Sequence, residues 1–418
     1  MMLGMITKTT ENAKKGEHSS SWFRVISLFS IFFLCSGCVT MRHPVPPDLV
    51  AKALIGKMND VRFMAGEQNT MLQEDLLLSV KQERVEDFPV GRDGVKVYPL
   101  LAISGGGANG AYGAGLLKGW SKEGTRPLFK VVTGVSTGAI IALFAFLGKD
   151  YDAELERCYT TMSTKDVMTH KFPFMLLLGN SFASNSPLSR MISDMVDEKI
   201  LAKIAAEHRR GRRLLVGTAD LDAERFVIWD MGAIACRGDV KLFRKVMLAS
   251  SAIPVIFPPM VFQVEANGKA YDELHVDGGT LAQFFVTCKL LEGMGRVEKE
   301  LGVDMTKISR KLYIIRNGYM SPTYKKVKDN LSSLAQRSFD MITDSQGIGD
   351  AYRTYVFSKE EGVDYNLAFI PSDFMQNAKE VFDRRNMKRL FDRGYEDAVN
   401  GYKWRKSPPG VAEPLSIP

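Results

Sequence analysis

Two stretches of this chain share one pattern: a short apolar run, a glycine-rich turn, then a longer run at helical spacing. In the first, Val97-Tyr98-Pro99-Leu100-Leu101-Ala102-Ile103-Ser104 is strand-like, Gly105-Gly106-Gly107-Ala108-Asn109-Gly110 interrupts it, and residues 111–120 continue as a helix. In the second, Leu128-Phe129-Lys130-Val131-Val132-Thr133 reads as a buried strand, and residues 139–147 as an apolar helix. Between them lies Gly134-Val135-Ser136-Thr137-Gly138. Short apolar runs closed by glycine mark strands, and runs of about ten residues mark helices. Further strand patterns occupy 311–315 and 366–370, while 49–88, 325–358 and 387–400 look helical.

A serine on a sharp strand-to-helix turn is the arrangement that exposes a nucleophilic hydroxyl at the head of a helix. Glycines such as Gly134 and Gly138 tolerate the strained backbone that this requires. G-x-S-x-G occurs by chance in many chains, so the flanking strand and helix carry the argument. The glycine loop lies upstream, with Gly107 29 residues before Ser136. Its freed N–H groups and the helix behind it suit an anion. Beside a serine nucleophile, that anion is the oxyanion of a tetrahedral intermediate.

The same loop satisfies G-x-G-x-x-G. A dinucleotide site also needs an Asp or Glu about 20 residues further on, at the end of the next strand. That strand ends in Thr133-Gly134-Val135-Ser136 instead. No Gly-Lys-Ser/Thr follows the glycines, which excludes a phosphate-binding P-loop.

A third motif is Asp277-Gly278-Gly279, after Tyr271-Asp272-Glu273-Leu274-His275-Val276. Taken together, the three motifs resemble the patatin-like phospholipase family. Leu214-Leu215-Val216-Gly217-Thr218-Ala219-Asp220 and Ala249-Ser250-Ser251-Ala252-Ile253-Pro254 match further blocks of that family, and residues 386–401 resemble its C-terminal helix. The resemblance covers about residues 95 to 290. It implies a three-layer α/β/α fold with a mainly parallel central sheet. It also implies a Ser–Asp dyad of Ser136 and Asp277, with Gly105, Gly106, Gly107, Ala108, Asn109 and Gly110 forming the oxyanion loop. Gly134 and Gly138 would form the elbow, and Gly278 and Gly279 the turn after the base. The family usually has Arg or Lys where this chain has Asn109.

The expected reaction is hydrolysis of an acyl ester, with phospholipids as substrate, through an acyl-Ser136 intermediate. Phospholipase A or lysophospholipase activity is expected, with no cofactor, no metal and no nucleic-acid partner. One competitor is an esterase triad of Ser136, Asp220 and His275, since no histidine follows Asp277. Another is an envelope lipoprotein that keeps the fold, binds lipid and does not turn over.

Composition bounds the rest. Of 418 residues 45% are hydrophobic, enough for a large core, and the charge of +7 is a mild bias without a basic–aromatic stretch for nucleic acid. His208-Arg209-Arg210-Gly211-Arg212-Arg213 is the densest basic stretch; it reads as a solvated turn, with anionic lipid contact as the alternative. Residues 1–24 carry Lys8, Lys14, Lys15 and Arg24, an uncharged run covers 25–34, and Cys35-Ser36-Gly37-Cys38 follows. Ten apolar residues are too few to span a bilayer. The segment resembles a bacterial lipoprotein signal, with Cys38 lipidated and Val39 after it favouring the outer membrane; a periplasmic or secreted protein is the alternative. Cys158, Cys236 and Cys288 suggest neither a disulfide framework nor a metal site.

The expected organisation is a signal over 1–37, a tether and helical segment over 38–93 and a catalytic domain over 94–371. A helical extension over 372–406 and a disordered tail over 407–418 complete it. Residues 172–180, Phe-Pro-Phe-Met-Leu-Leu-Leu-Gly-Asn, are either a buried connection or an acyl-chain funnel.

Overall fold

Leu100, Leu101, Ala102 and Ile103 are all buried, although neighbouring strand residues face opposite ways. The strand is therefore covered on both faces, the signature of a sheet between two helical layers. The protein is described here from a computed structural model, which describes residues 42–56, 58–65, 70–170, 181, 183–286 and 304–411. The chain divides into two compact units, residues 1–43 and 44–418, and the fold below is that of the second.

Its strands are β1 (Arg62–Met64), β2 (Lys96–Ile103), β3 (Val131–Val135), β4 (Thr169–His170), β5 (Ala183–Ser184) and β6 (Arg213–Asp220). They continue with β7 (Arg225–Asp230), β8 (Met260–Ala266), β9 (Lys269–Asp277), β10 (Ile308–Arg316) and β11 (Asp364–Phe369). The main sheet has the order β1-β7-β6-β3-β2-β10-β11, and β4 and β5 form a separate ribbon. From β6 to β11 the strands are parallel, whereas β7 and β1 add antiparallel at one side. This is a mainly parallel sheet in a three-layer α/β/α fold.

One layer holds α2 (Gly110–Glu123), α3 (Thr137–Leu147), α4 (Asp152–Thr161), α6 (Ser186–Met195), α7 (Glu198–Arg209), α8 (Met231–Cys236), α9 (Val240–Ser250) and α11 (Arg384–Val399). These pack on Leu101, Ile103, Val132, Leu214 and Val216. The opposite face, with Leu100, Ala102, Val131 and Leu215, is covered by α1 (Thr70–Gln82), by Phe284 and Phe285, and by α10 (Leu331–Glu360). The short α5 (Thr164–Val167) completes the set. Helix α3 is buried all round because it lies at the centre of its layer. Among the described residues, no helix is long and apolar enough to cross a membrane.

Several expectations need correction. Residues 49–88 are not one helical segment: a 3-10 turn over Pro47–Lys52, strand β1 and helix α1 divide them. The basic stretch is neither a solvated turn nor a lipid patch. Arg212 and Arg213 are buried, Arg213 pairs with Asp75 at 2.6 Å, Arg212 with Glu207 at 2.7 Å, and Arg210 with Asp87 and Glu207. Of the expected tail over 407–418, residues 407–411 are described: Ser407 is buried, its Oγ donates to the Val411 carbonyl, and Tyr352 donates to that of Pro409. Cys38, Cys288, residues 172–180 and residues 412–418 lie outside the described residues.

Candidate active site

Strand β6 brings the two ends of the site together along one of its edges. Its first part pairs with β3, as far as Val135 opposite Gly217. From the next residue on, β9 takes over that edge, with Asp277 opposite Thr218. Ser136, one residue past the end of β3, and Asp277, the last residue of β9, therefore meet where the two strands abut.

Ser136 has φ 57° and ψ −128°, a strained conformation for a residue with a side chain. The turn is tight enough to demand glycine on both sides. A Cβ on Gly134 would lie 2.3 Å from the Gly138 carbonyl oxygen, and one on Gly138 would lie 2.4 Å from that of Ile103. Neighbouring bonds hold the strain. The Ser136 N–H donates to Ser250 Oγ at 2.9 Å, and Ser250 in turn donates to the Gly217 carbonyl at 2.7 Å. Thr137 is fixed by the buried Tyr159, whose hydroxyl donates to the Thr137 carbonyl at 2.9 Å.

Asp277 accepts from the Gly279 N–H at 2.8 Å, and the Ser136 hydroxyl beside it also favours its ionised form. Its own N–H donates to the Ala252 carbonyl at 2.9 Å, and Gly278 opens the 3-10 turn that follows. Burial pushes its carboxyl up to about 7, and the Ser136 hydroxyl and the Gly279 N–H only partly oppose the shift. No cation contributes.

The glycine loop lies against the same spot: a Cβ on Gly105 would be 3.3 Å from Ser136 Cβ. Not every N–H of the loop is available. Gly105 donates to the Gln283 carbonyl at 2.9 Å, Asn109 to Gly106 at 3.0 Å, and Gly110 to Gly107 and Ala108. Gly106, Gly107 and Ala108 keep N–H groups with no partner among the described residues. Gly106 has φ 146° and runs so close to Asn317 that a Cβ would meet its carbonyl oxygen at 2.2 Å. Asn109 reaches another neutral side chain, with its Oδ1 accepting from Gln376 Nε2 at 2.8 Å.

Sequence reasoning missed three supports. Ser250 was visible only as part of a matching block. Gln283 touches the site twice, donating to the Gly279 carbonyl at 2.9 Å and accepting from Gly105 through its own carbonyl. Asn317 donates to the Ser104 carbonyl at 2.9 Å and accepts from Gly113 at 3.1 Å, clamping the loop to α2. Nothing in the local pattern around 283 or 317 points to these roles.

The arrangement of His275 does not support the Ser136–Asp220–His275 competitor. Thr218 Oγ1 accepts from Trp229 Nε1 at 2.7 Å and shares a hydrogen bond with His275 Nδ1 at 2.9 Å. His275 Nε2 donates to Glu273 at 3.1 Å, which leaves both ring nitrogens engaged away from Ser136. Asp220 accepts from the N–H groups of Asp222 and Ala223.

Among the described residues, two clusters bring metal-ligating atoms within 4.8 Å of one another. In Asp220–Glu273–His275, His275 is committed as above and Glu273 pairs with Arg62. In Asp75–His208–Asp230, the Arg213 guanidinium supplies the positive charge, bonded to Asp75 and 3.9 Å from Asp230. Neither cluster includes Ser136 or Asp277.

The site therefore sets a serine at a strained strand-to-helix turn against a buried carboxyl within a three-layer α/β/α fold. Residues 101–287 match the family model described as Patatin-like phospholipase, so the chain carries a patatin-like phospholipase domain over that stretch. No curated protein matches the chain. Among solved structures, VipD from Legionella pneumophila is 12% identical, covering 75% of this chain and 69% of its own, with a TM-score of 0.35.

Proposed function

We propose that the chain is a phospholipase A or lysophospholipase acting through a Ser136–Asp277 dyad. The observation that carries this reading is the meeting of Ser136, at its strained turn, with a buried carboxyl raised to about 7. An ordinary carboxylate titrating near 4 is a poor base for a hydroxyl, and one near 7 is matched to neutral pH.

Ser136 Oγ attacks the ester carbonyl carbon while its proton passes to Asp277. The N–H groups of Gly106, Gly107 and Ala108 receive the oxyanion; they narrow the expected donor set, because those of Gly105, Asn109 and Gly110 are used within the fold. Collapse of the intermediate breaks the bond to the alcohol, which leaves with the proton from Asp277. Water then attacks the acyl-Ser136 ester, Asp277 takes its proton, and the fatty acid departs. Asn109, bonded to Gln376, anchors the loop without the family's usual positive charge.

The reading extends to location. Cys38 would be the lipidated N-terminus of an outer-membrane lipoprotein, supported by the sequence around it; labelling with a radioactive fatty acid that persists in Cys38→Ser overturns this. For the reaction, fatty-acid release from phospholipid vesicles and from a soluble short-chain ester tests the dyad. Loss in both Ser136→Ala and Asp277→Asn is expected, and a folded wild type inert on every ester favours the lipid-binding alternative.

A further inference from the structure

Strands β2, β3, β6 and β10 are parallel, so they end at one edge of the sheet, and the site lies at that edge. Helix α10 is longer than the sheet is deep. Its 30 residues span about 45 Å, against about 30 Å for the nine of β10. The helix is pinned to both ends of β10. The Glu361 carbonyl just past it accepts from Arg310, near the start of the strand, and the Asp344 carbonyl accepts from Arg316, at its end, at 3.1 Å. Residues 331–343 therefore extend about 20 Å past the active-site edge.

The outward side of this projecting half is apolar. Leu331, Leu334, Met341 and Ile342 are 85, 47, 57 and 66% exposed. At about 100° per residue they share one face with Ala335, Ser338 and Ser345, and no charged residue falls on it. The nearby charges turn back: Arg337 donates to the Thr323 carbonyl, and Asp340 pairs with Lys325. Lys326 and Lys328, exposed in the loop leading into the helix, have no acidic partner among the described residues. A helix meeting only water turns its apolar stripe inward.

We propose that this half-helix and its lysine loop dock the active-site edge on an anionic phospholipid bilayer. The proposal rests on the reading of the site as a lipid hydrolase, and it names the surface from which substrate enters. Lys326 and Lys328 complement anionic head groups, while the stripe enters the acyl boundary. Four side chains cover roughly a few hundred Å², short of the about 600–800 Å² that each member of a stable pair of subunits buries.

The test uses the full chain carrying Cys38→Ser, so that no lipid anchor contributes. Binding is read by flotation with vesicles of phosphatidylcholine, with and without phosphatidylglycerol. The triple variant Leu331→Ser/Leu334→Ser/Ile342→Ser is expected to bind both vesicles about tenfold more weakly or worse. Lys326→Glu/Lys328→Glu is expected to weaken binding to the anionic vesicles alone, and high salt to erase that difference. Melting temperature and hydrolysis of a soluble short-chain ester should not change, because none of these residues touches the site. Undiminished vesicle binding by the triple variant overturns the proposal. So does a wild-type dimer that the triple variant splits, which assigns the stripe to a second copy. Flotation needs no turnover, so a chain that binds through the stripe yet hydrolyses nothing keeps the docking surface and loses the catalytic reading.

Discussion

Glu273 and Asp277 lie four residues apart on β9, on the same face of the strand, and both are buried. Their carboxyls nonetheless shift in opposite directions. Burial pushes Glu273 up, but bonds from His275 and Arg62 outweigh it and hold the group at about 2. Burial pushes Asp277 to about 7, because its partners are a hydroxyl and a backbone N–H, neither of them charged. The difference lies in the partners, since burial acts on both in the same sense. One end of β9 is built as a fixed ion pair that stabilises the fold; the other is left without a cation and can exchange a proton near neutral pH.

Converting Asp277 to Asn removes the base while keeping the shape. Fatty-acid release should fall by about 10³-fold or more, measured as kcat/KM on a soluble ester, while Ser136 stays in place. At the other end, Arg62→Met strands the Glu273 charge in the interior. Thermal or urea unfolding should show a loss of about 3–5 kcal/mol, with turnover per folded molecule unchanged. Adding Glu273→Gln to that variant should recover part of the loss.

Asp277→Asn also sharpens the contrast in stability. The folded carboxyl titrates at about 7, above the ordinary 3.8 of an aspartate, so protons bind the folded state more tightly. The resulting stabilisation is complete below pH 3.8 and is lost as pH rises to about 7. The wild type should thus lose about 4 kcal/mol of stability across that window relative to Asp277→Asn, read from unfolding curves at pH 4 and pH 8. The smallest effect is expected of His275→Asn, which breaks the bonds to Thr218 and Glu273 but leaves the dyad whole. It should cost about 1–3 kcal/mol of stability and keep most of the activity; complete loss of turnover with a folded chain would restore the histidine triad.

The legible parts of the molecule were those fixed by local backbone demands. The elbow around Ser136 and the loop at Gly106 need glycine within a few residues, and the strands beside them are continuous apolar runs. Strand β9 was not read as a strand, since Asp272, Glu273, His275 and Asp277 place polar groups at buried positions and erase the period-two signal. Their partners, such as Arg62, lie far away in sequence. The arginine stretch misled for the same reason: Arg213 looks like surface until Asp75, 138 positions earlier, is brought against it. Strand β1 has three residues and exists through its pairing with β7.

The account turns on Asp277 acting as the base, and a pH–rate profile tests it most directly. The measurement is kcat/KM for a soluble short-chain ester from pH 5 to 9, for the wild type and Asp277→Asn. The wild type should rise about tenfold per pH unit to a plateau, with a midpoint near 7, because the reacting form carries the ionised carboxyl. The residual rate of Asp277→Asn should lack that step. A step that survives in Asp277→Asn would assign the proton transfer to another group and contradict the dyad.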